Sequence, residues 1–404
     1  MTTRTDHKPD WTGRRIELEV GAVAHGGHCV ARHDNRVLFV RHALPGEVVV
    51  AEVTEDKGGS FCRADAVEVL KPSEDRVEPP CPAAVPGGCG GCDFQHARPE
   101  AQRSLKASVV REQLKRLAGL DWDVEVEELA ESPLGWRTRV RLAVDREGRA
   151  GLRGQRSHRV IPIDDCPIAS PGALPEVLRQ RWKPGAEVQV TRDGDGELHV
   201  TEWVRNQRPR FAVGSGTATE HAGGRDWQVD ASGFWQVHPA AADTLVSVVA
   251  EFADAAPGAT AWDLYGGVGL FASALAEQVG PSGSVTVVES SARAVESGRR
   301  SLADMPQVNF VTGLVEKVLG SSEMDGQWPD AVVLDPPRKG AGRAVVDAVC
   351  DVSPRRVVHI ACDPAALARD VADFAANGYR LAALRAFDAF PMTHHIECVA
   401  LFTD

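Results

Sequence analysis

After Phe234 the chain alternates strand-like apolar runs with helix-like stretches, and this constrains the fold more than any other feature of the sequence. The runs are Thr260-Ala-Trp-Asp-Leu264, Ser284-Val-Thr-Val-Val288, Ala331-Val-Val-Leu334, Arg356-Val-Val-His-Ile360 and Cys398-Val-Ala-Leu-Phe402. Strands separated by helices pair through crossover connections. The second half is therefore expected to be an α/β unit, a largely parallel sheet with helices on both faces.

The first half reads differently. Ile16-Glu-Leu-Glu-Val20 and Val48-Val-Val-Ala-Glu-Val53 are strand-like, and Gly26-Gly27, Pro45-Gly46 and Gly58-Gly59 punctuate them. That predicts a small all-β module. A Pro/Gly/Cys-rich connector runs from Pro79 to Gly91, and Leu105 to Leu117 carries helical periodicity through Val109, Val110, Leu114 and Leu117. From Trp136 to about Trp227 strand signals dominate. We place the domains at residues 11–71, 72–232 and 233–404; a chain of 404 residues suffices for three cores. Met1 to Asp10 holds no apolar core, so no signal peptide is expected, and no run approaches the roughly 18 apolar residues of a membrane span. A cytoplasmic monomer that avoids membranes is the expectation.

Asp263-Leu-Tyr-Gly-Gly-Val-Gly269 follows a strand and opens a helix. Gly267 and Gly269 let backbone turn tightly and approach a ligand at the helix N-terminus. Glu289 lies twenty residues past Gly269 at the end of the next strand, where a carboxylate can accept ribose hydroxyls. NAD and S-adenosylmethionine both suit this pattern. Asp335-Pro-Pro-Arg338 separates them: it stands at a strand's carboxyl end, and adenosylmethionine enzymes acting on bases often carry an acidic residue before Pro-Pro. A dehydrogenase has no evident use for that turn.

Cys362 follows the strand Val357-Val-His-Ile360 and precedes a predicted helix, Ala365 to Ala376. Near a helix N-terminus its thiolate should be stabilised. Glu397 opens the last strand. Alone, the two would read as a buried small side chain and a surface glutamate. Together with a nucleotide-type turn they supply a nucleophile and a base. That set suits methyl transfer to a pyrimidine C5, which reacts only after a nucleophile adds at C6.

These residues resemble the uridine-C5 RNA methyltransferases that make 5-methyluridine in tRNA or large-subunit ribosomal RNA. Phe234-Trp-Gln-Val-His238 is similar to the family's Phe-Phe-Gln-Val-Asn segment, and Leu264-Tyr-Gly-Gly-Val-Gly269 to its first cofactor motif. Asp335-Pro-Pro-Arg338 matches its Asp-Pro-Pro-Arg turn, Ala361-Cys-Asp-Pro-Ala-Ala-Leu-Ala-Arg-Asp370 its nucleophile motif, and His394-His-Ile-Glu397 the motif carrying the base. The resemblance implies a class I methyltransferase Rossmann-like sheet. It also implies that Gln236, Tyr265, Gly267, Gly269, Glu289, Gly313 and Asp335 hold S-adenosylmethionine. Cys362 would attack C6 and Glu397 would take the C5 proton. Asp363, Ala366, His238 and Leu270 depart from the family's Asn, Thr, Asn and a polar residue. None replaces the nucleophile or base. The implied function is methylation of a uridine in RNA, with 23S ribosomal RNA favoured and tRNA the alternative. A cytosine-C5 methyltransferase would present a Pro-Cys or Thr-Cys nucleophile, unlike Ala361-Cys362. A non-catalytic RNA-binding or redox-sensing protein would not need both Cys362 and Glu397.

The first module resembles the RNA-binding barrel of some members through Phe39-Val-Arg-His-Ala-Leu-Pro-Gly-Glu47, with Arg32, Arg36 and Arg41 as its expected RNA contacts. Cys81, Cys89 and Cys92 form a Cys-x7-Cys-x2-Cys group, with Cys166 later. By spacing, four thiolates suit zinc or an iron–sulfur cluster, zinc slightly ahead. The family likeness favours a 4Fe-4S cluster. Cys29, Cys62, Cys350 and Cys398 read as small buried side chains. A net charge of −12 argues against binding nucleic acid by bulk positive charge. Arg137, Arg139 and Arg141 would share one strand face within an arginine-rich stretch ending at Arg159, an expected phosphate-contacting surface.

Overall fold

Alternation of apolar and polar side chains closes residues 15–71 into a barrel-like sheet with one side inward. In the computed structural model, which describes residues 10–404, its strands are β1 (Arg15–Glu19), β2 (Val23–Ala24), β3 (His28–His33), β4 (Arg36–Arg41), β5 (Val48–Asp56) and β6 (Phe61–Lys71). They are ordered β1-β5-β6-β4-β3-β2. Only β4 and β6 pair in parallel, with Phe39 opposite Arg63. Leu38, Val40, Cys62 and Ala64 point inward and are at most 1% exposed; Phe39, Phe61 and Arg63 fall on the other side. The expectation of no signal peptide falls on residues 1–9, which lie outside the described residues.

Next come α1 (Pro99–Ala118) and β7 (Val126–Glu128), then β8 (Arg139–Val144), β9 (Ala150–Arg153), β10 (Val160–Ile161), α2 (Pro175–Arg179), β11 (Glu187–Arg192), β12 (Leu198–Trp203) and β13 (Arg210–Val213). The last six strands form an antiparallel sheet, β10-β9-β8-β11-β12-β13, over a core that includes Trp136, Leu142, Leu174 and Val188. A ribbon of β14 (Thr217–Ala222) and β15 (Arg225–Asp230) follows.

The remainder holds α3 (Ala241–Ala253), β16 (Thr260–Leu264), α4 (Leu270–Val279), β17 (Ser284–Glu289), α5 (Ala292–Ser301), β18 (Val308–Thr312), α6 (Val315–Val318), β19 (Ala331–Leu334), α7 (Arg343–Asp351), β20 (Arg356–Ala361), α8 (Pro364–Ala376), β21 (Arg380–Asp388) and β22 (Glu397–Thr403). The sheet order is β18-β17-β16-β19-β20-β22-β21-β7. Strands β16 to β20 are parallel, and β22 enters antiparallel between β20 and β21. The parallel strands are buried on both faces, as their near-continuous apolar sequences require. The chain order reverses at β16, where β17 lies on one side and β19 on the other. Ligands bind outside the strand ends at such a switch point.

A division at residues 72 and 233 remains our proposal for the folding units, and packing crosses it. Ala107, Val110 and Leu114 of α1 and Val126 of β7 join the core of Leu334, Phe374 and Phe402, while Trp227 of the ribbon packs with α3 and α4. The arginine surface needs correction. Arg139 is buried against Glu220 at 2.7 Å, because the β14–β15 ribbon covers that end of the β8 face. Arg137 sits just before β8 and turns its Nε onto the Arg139 carbonyl, Arg149 pairs with Asp145 and Arg153 with Glu187. Arg36 and Arg41 are likewise internal, Arg36 donating to Asp56 at 2.7 Å and Arg41 lying 3.6 Å from Asp93. The barrel therefore offers RNA neither of those two guanidiniums.

Candidate active site

The glycine turn between β16 and α4 is shaped by backbone that only glycine takes easily. Gly269 caps α4 at φ +84°, and a side chain there would press on Leu302 and Phe310 at 3.0 Å. Gly267 has φ +58° with open space where a Cβ would stand. Tyr265 also takes a left-handed φ of +62°, and its hydroxyl is buried with no hydrogen-bond partner among the described residues. Glu289 reaches this turn from the end of β17: Oε2 accepts the Gly267 N–H at 3.1 Å and Oε1 the Ser291 N–H at 2.6 Å. Gly313 follows β18 and donates to the Glu289 carbonyl at 2.9 Å. Gln236 is buried on the segment joining β15 to α3.

Two further carboxyls stand at this strand-end rim. Burial pushes Asp263 up to about 8, while its Oδ2 accepts the Ala272 N–H at 2.9 Å. Burial also pushes Asp335 up to about 7. A cation bound beside Asp335 would favour its ionised form.

Cys362 and Glu397 come together through sheet register. Ala361 pairs with Cys398 across β20–β22; one step further sets Cys362 opposite Glu397, on one face. Glu397 is buried, 5% exposed, rather than on the surface. Burial, reinforced by Asp335, raises its carboxyl well above the ordinary glutamate range, and Arg338 opposes the shift. Cys362 differs from the expected stabilised thiolate. Burial and the Glu397 charge push it up to about 12 in the free protein, with Arg338 again acting the other way. The helix N-terminus is already occupied by Asp363, whose Oδ1 accepts the Ala366 N–H at 2.8 Å.

A cavity of about 440 Å³ opens over Cys362. Arg338, His394 and His395 line it from loops at the strand ends, barrel residues His25, His28, Phe39 and Arg63 form a second wall, and Gln155 and Arg156 a third. His25 Nε2 lies 2.9 Å from Asp363 Oδ2, and a Cβ on Gly27 would stand 2.9 Å from the His394 Cβ. Burial and the neighbouring His394 and Arg338 press His395 down to about 3, so its ring is neutral and a weak base. Sequence spacing gave no sign of the barrel residues in this cavity, since they stand some three hundred positions from the nucleophile.

A family model described as tRNA (Uracil-5-)-methyltransferase matches residues 319–404, and a TRAM domain model matches residues 11–67. An uncharacterized RNA methyltransferase of Streptomyces coelicolor is 49% identical over 426 residues, covering 96% of this chain and 93% of its own. The chain belongs to the uracil-5 RNA methyltransferase family. Another uncharacterized RNA methyltransferase, from Corynebacterium glutamicum, is 38% identical over 96% of this chain and 97% of its own. The Pyrococcus abyssi tRNA (uracil-54, C5)-methyltransferase, solved with S-adenosyl-L-homocysteine, superposes with a TM-score of 0.72 at 22% identity, over 96% of this chain and 100% of that one. That likeness establishes the class I methyltransferase fold. Among the described residues of the methyltransferase no helix is long and apolar enough to cross a membrane.

The methyltransferase also gathers its four expected cysteine ligands. Cys81, Cys89, Cys92 and Cys166 line one small cavity together with Arg137 and Gln95. The Gly91 N–H points at Cys89 Sγ (3.4 Å) and the Gln95 amide at Cys92 Sγ (3.2 Å). Among the described residues no three His, Cys, Asp or Glu side chains close tightly enough to hold a single metal ion. Cys29, Cys62, Cys350 and Cys398 are buried apart from this cavity, as expected of small core side chains.

Proposed function

We propose that this methyltransferase methylates C5 of a uridine in RNA through a covalent bond between Cys362 Sγ and ring carbon C6. The observation that carries the reading is a nucleophile and a buried carboxylate on facing strand ends, Cys362 opposite Glu397, under a cavity that Arg338 enters. Cys362 first loses its thiol proton to solvent, and addition of the resulting thiolate at C6 leaves an enolate whose C5 is nucleophilic. Bound S-adenosylmethionine supplies an electrophilic methyl group. Once C5 carries the methyl, Glu397, which acts only after giving up its own proton and is favoured in that ionised form by Arg338, takes the C5 proton; the C5–C6 double bond re-forms, and the C6–S bond breaks with its electrons returning to Cys362. Arg338 lowers the cost of both anions, while His395, held neutral, is too weak a base to replace Glu397.

The open space at Gly267, the unpartnered Tyr265 hydroxyl and the acidic rim fit a sulfonium nucleoside. Gly267, Gly269, Tyr265, Glu289, Gly313, Asp335 and Gln236 would hold it. Four thiols on one cavity, with N–H groups aimed at two sulfurs, fit thiolate ligands of a 4Fe-4S cluster, with zinc as the alternative. Large-subunit ribosomal RNA is the favoured substrate, on the likeness of the barrel and cysteine layout to such members. A tRNA is the second reading, supported by the matching family description. A monomer acting in the cytoplasm completes the proposal. Nucleoside mass spectrometry of ribosomal and transfer RNA treated with protein and S-adenosylmethionine tests it. Gain of 5-methyluridine in one fraction assigns the substrate; gain of 5-methylcytidine alone overturns the reading.

A further inference from the structure

The cavity over Cys362 has walls from three distant parts of the chain, and the barrel wall is aromatic. Phe39 and Phe61 meet edge to face at 5.5 Å. The Arg63 guanidinium lies 5.9 Å and 5.6 Å from their centroids. Strands β4 and β6 fill the barrel interior with Leu38, Val40, Cys62 and Ala64, which leaves both rings outside; Phe61 is 45% exposed. Phe39 lines the cavity itself, and Phe61, packed against it outside that lining, extends the exposed aromatic surface that a ligand's ring could cover.

Arg156 enters the same cavity from the turn between β9 and β10. Its backbone takes φ +47°, a costly conformation for a bulky side chain. It has no ion pair with another described residue, whereas Arg63 lies 3.3 Å from Glu55. Burial, then the charge of Arg156, lowers Arg63 from the ordinary arginine range, so the two guanidiniums repel one another across the cavity. Glu55 feels both charges but pairs with Arg63, so a further anion on the Arg156 side relieves the repulsion that remains. A π-face for a flat ring and a paired cationic site for an anion, side by side, describe a nucleotide.

We propose that Phe39, Phe61, Arg63 and Arg156 form a second nucleotide subsite, where the base adjoining the target uridine stacks on the phenylalanines and the linking phosphate lies between the arginines. The inference rests on the RNA methylation reading and deepens it: the substrate is unpaired over at least two successive nucleotides, and the barrel is a wall of the active site. Stacking of this kind tolerates any base.

The test uses the full-length protein and a short single-stranded RNA with one uridine in an adenosine tract. A second RNA has abasic sites flanking that uridine. Binding is read by fluorescence anisotropy and methyl transfer in parallel. The wild type should lose about tenfold in affinity for the abasic RNA. Phe61→Ala and Phe39→Ala should bind the intact RNA about tenfold more weakly and show almost no further loss with the abasic one. Arg156→Gln should reduce the salt slope by about one unit. Unchanged adenosylmethionine affinity confirms that each variant is folded. Equal abasic losses in wild type and both phenylalanine variants would overturn the subsite. Intact subsite behaviour without any methylation of uridine would instead overturn the catalytic reading.

Discussion

Asp93 Oδ2 lies 2.6 Å from His394 Nδ1 and also accepts the His394 backbone N–H at 3.0 Å. Asp93 directly follows Cys92, and its own N–H and that of Phe94 donate to the Met392 carbonyl at 2.9 and 3.0 Å. Gln102 accepts the Met392 N–H at 2.8 Å. The cysteine loop thus clamps the segment that delivers Glu397, and Arg41 of the barrel joins the clamp through Asp93. Asp93→Ala should lower stability by about 3–5 kcal/mol, because it strands a buried Arg41 charge. It should lower kcat by up to about a hundredfold through displacement of Glu397. Asp93→Asn keeps an acceptor oxygen and should recover part of kcat. Calorimetry and single-turnover kinetics measure the two effects; normal kcat in Asp93→Ala would remove the clamp from the mechanism.

Cys362→Ala should abolish methyl transfer while adenosylmethionine affinity stays near wild type. Only the C6 addition is lost, since the glycine turn and acidic rim lie on other strands. Turnover close to wild type would exclude Cys362 as the nucleophile.

Glu397→Gln should behave differently. Addition and methyl transfer need only the thiolate, so the variant should accumulate a protein–RNA adduct that resists denaturation. It also has a pH signature. The folded carboxyl titrates well above the ordinary 4.5, so the folded state keeps a proton that the unfolded state gives up above that pH. Wild-type stability is therefore lost as pH rises through that window, and glutamine escapes the loss. Melting temperatures of Glu397→Gln and wild type should agree most closely below about pH 4.5 and diverge above it, the variant melting higher. A gap that does not vary with pH would mean that Glu397 is not held neutral.

The parallel sheet and its order of elements were legible because apolar runs alternated with helical periodicity. The helix predicted from Ala365 begins at Pro364, one residue earlier, with Asp363 as its cap. Cys362 and Glu397 were legible as motifs. Their placement on one face needed the β20–β22 register, set by thirty-five residues of intervening chain. The protonation of Cys362 was misread, since helix position is visible in sequence but burial beside a carboxyl is not. The arginines misled for a related reason. Alternation put Arg139 and Arg141 on one face, but nothing local showed that a ribbon carrying Glu220, about eighty residues on, would cover Arg139. The barrel's share of the cavity over Cys362 was equally hidden, because it depends on how separate sheets dock.

Asp335 should couple cofactor binding to pH. Burial holds its carboxyl near 7, and a sulfonium cation favours the ionised form. Affinity for S-adenosylmethionine should therefore tighten as pH rises towards 7, by at most about tenfold per unit, and level off above it. Neutral S-adenosylhomocysteine should show a smaller trend, and Asp335→Asn should flatten the curve. Calorimetric titration across pH 5.5 to 8.5, roughly the span over which this group ionises, measures it; equal pH dependence in Asp335→Asn would assign the effect elsewhere.

The cysteine cavity yields the last expectation. Purified without oxygen, the protein should be brown and contain iron and acid-labile sulfide. Cys89→Ser and Cys92→Ser should lose the colour because both sulfurs line the cavity. Cys62→Ser should keep it, since Cys62 lies in the barrel core, 1% exposed. Cluster loss should spread along the chain from Cys92 to Asp93 and on to His394. Its functional mark should thus be a fall in kcat and in RNA positioning, with adenosylmethionine affinity retained. Cys81 is separated from Cys89 by seven residues and is tied to the loop by its N–H on Gln95 Oε1 at 3.0 Å, so Cys81→Ser reports on whether the long gap still allows ligation. Stoichiometric zinc without iron after anaerobic purification would replace the cluster with a single-ion site. Neither metal, with kcat unchanged in Cys89→Ser, would leave the four cysteines as packing alone.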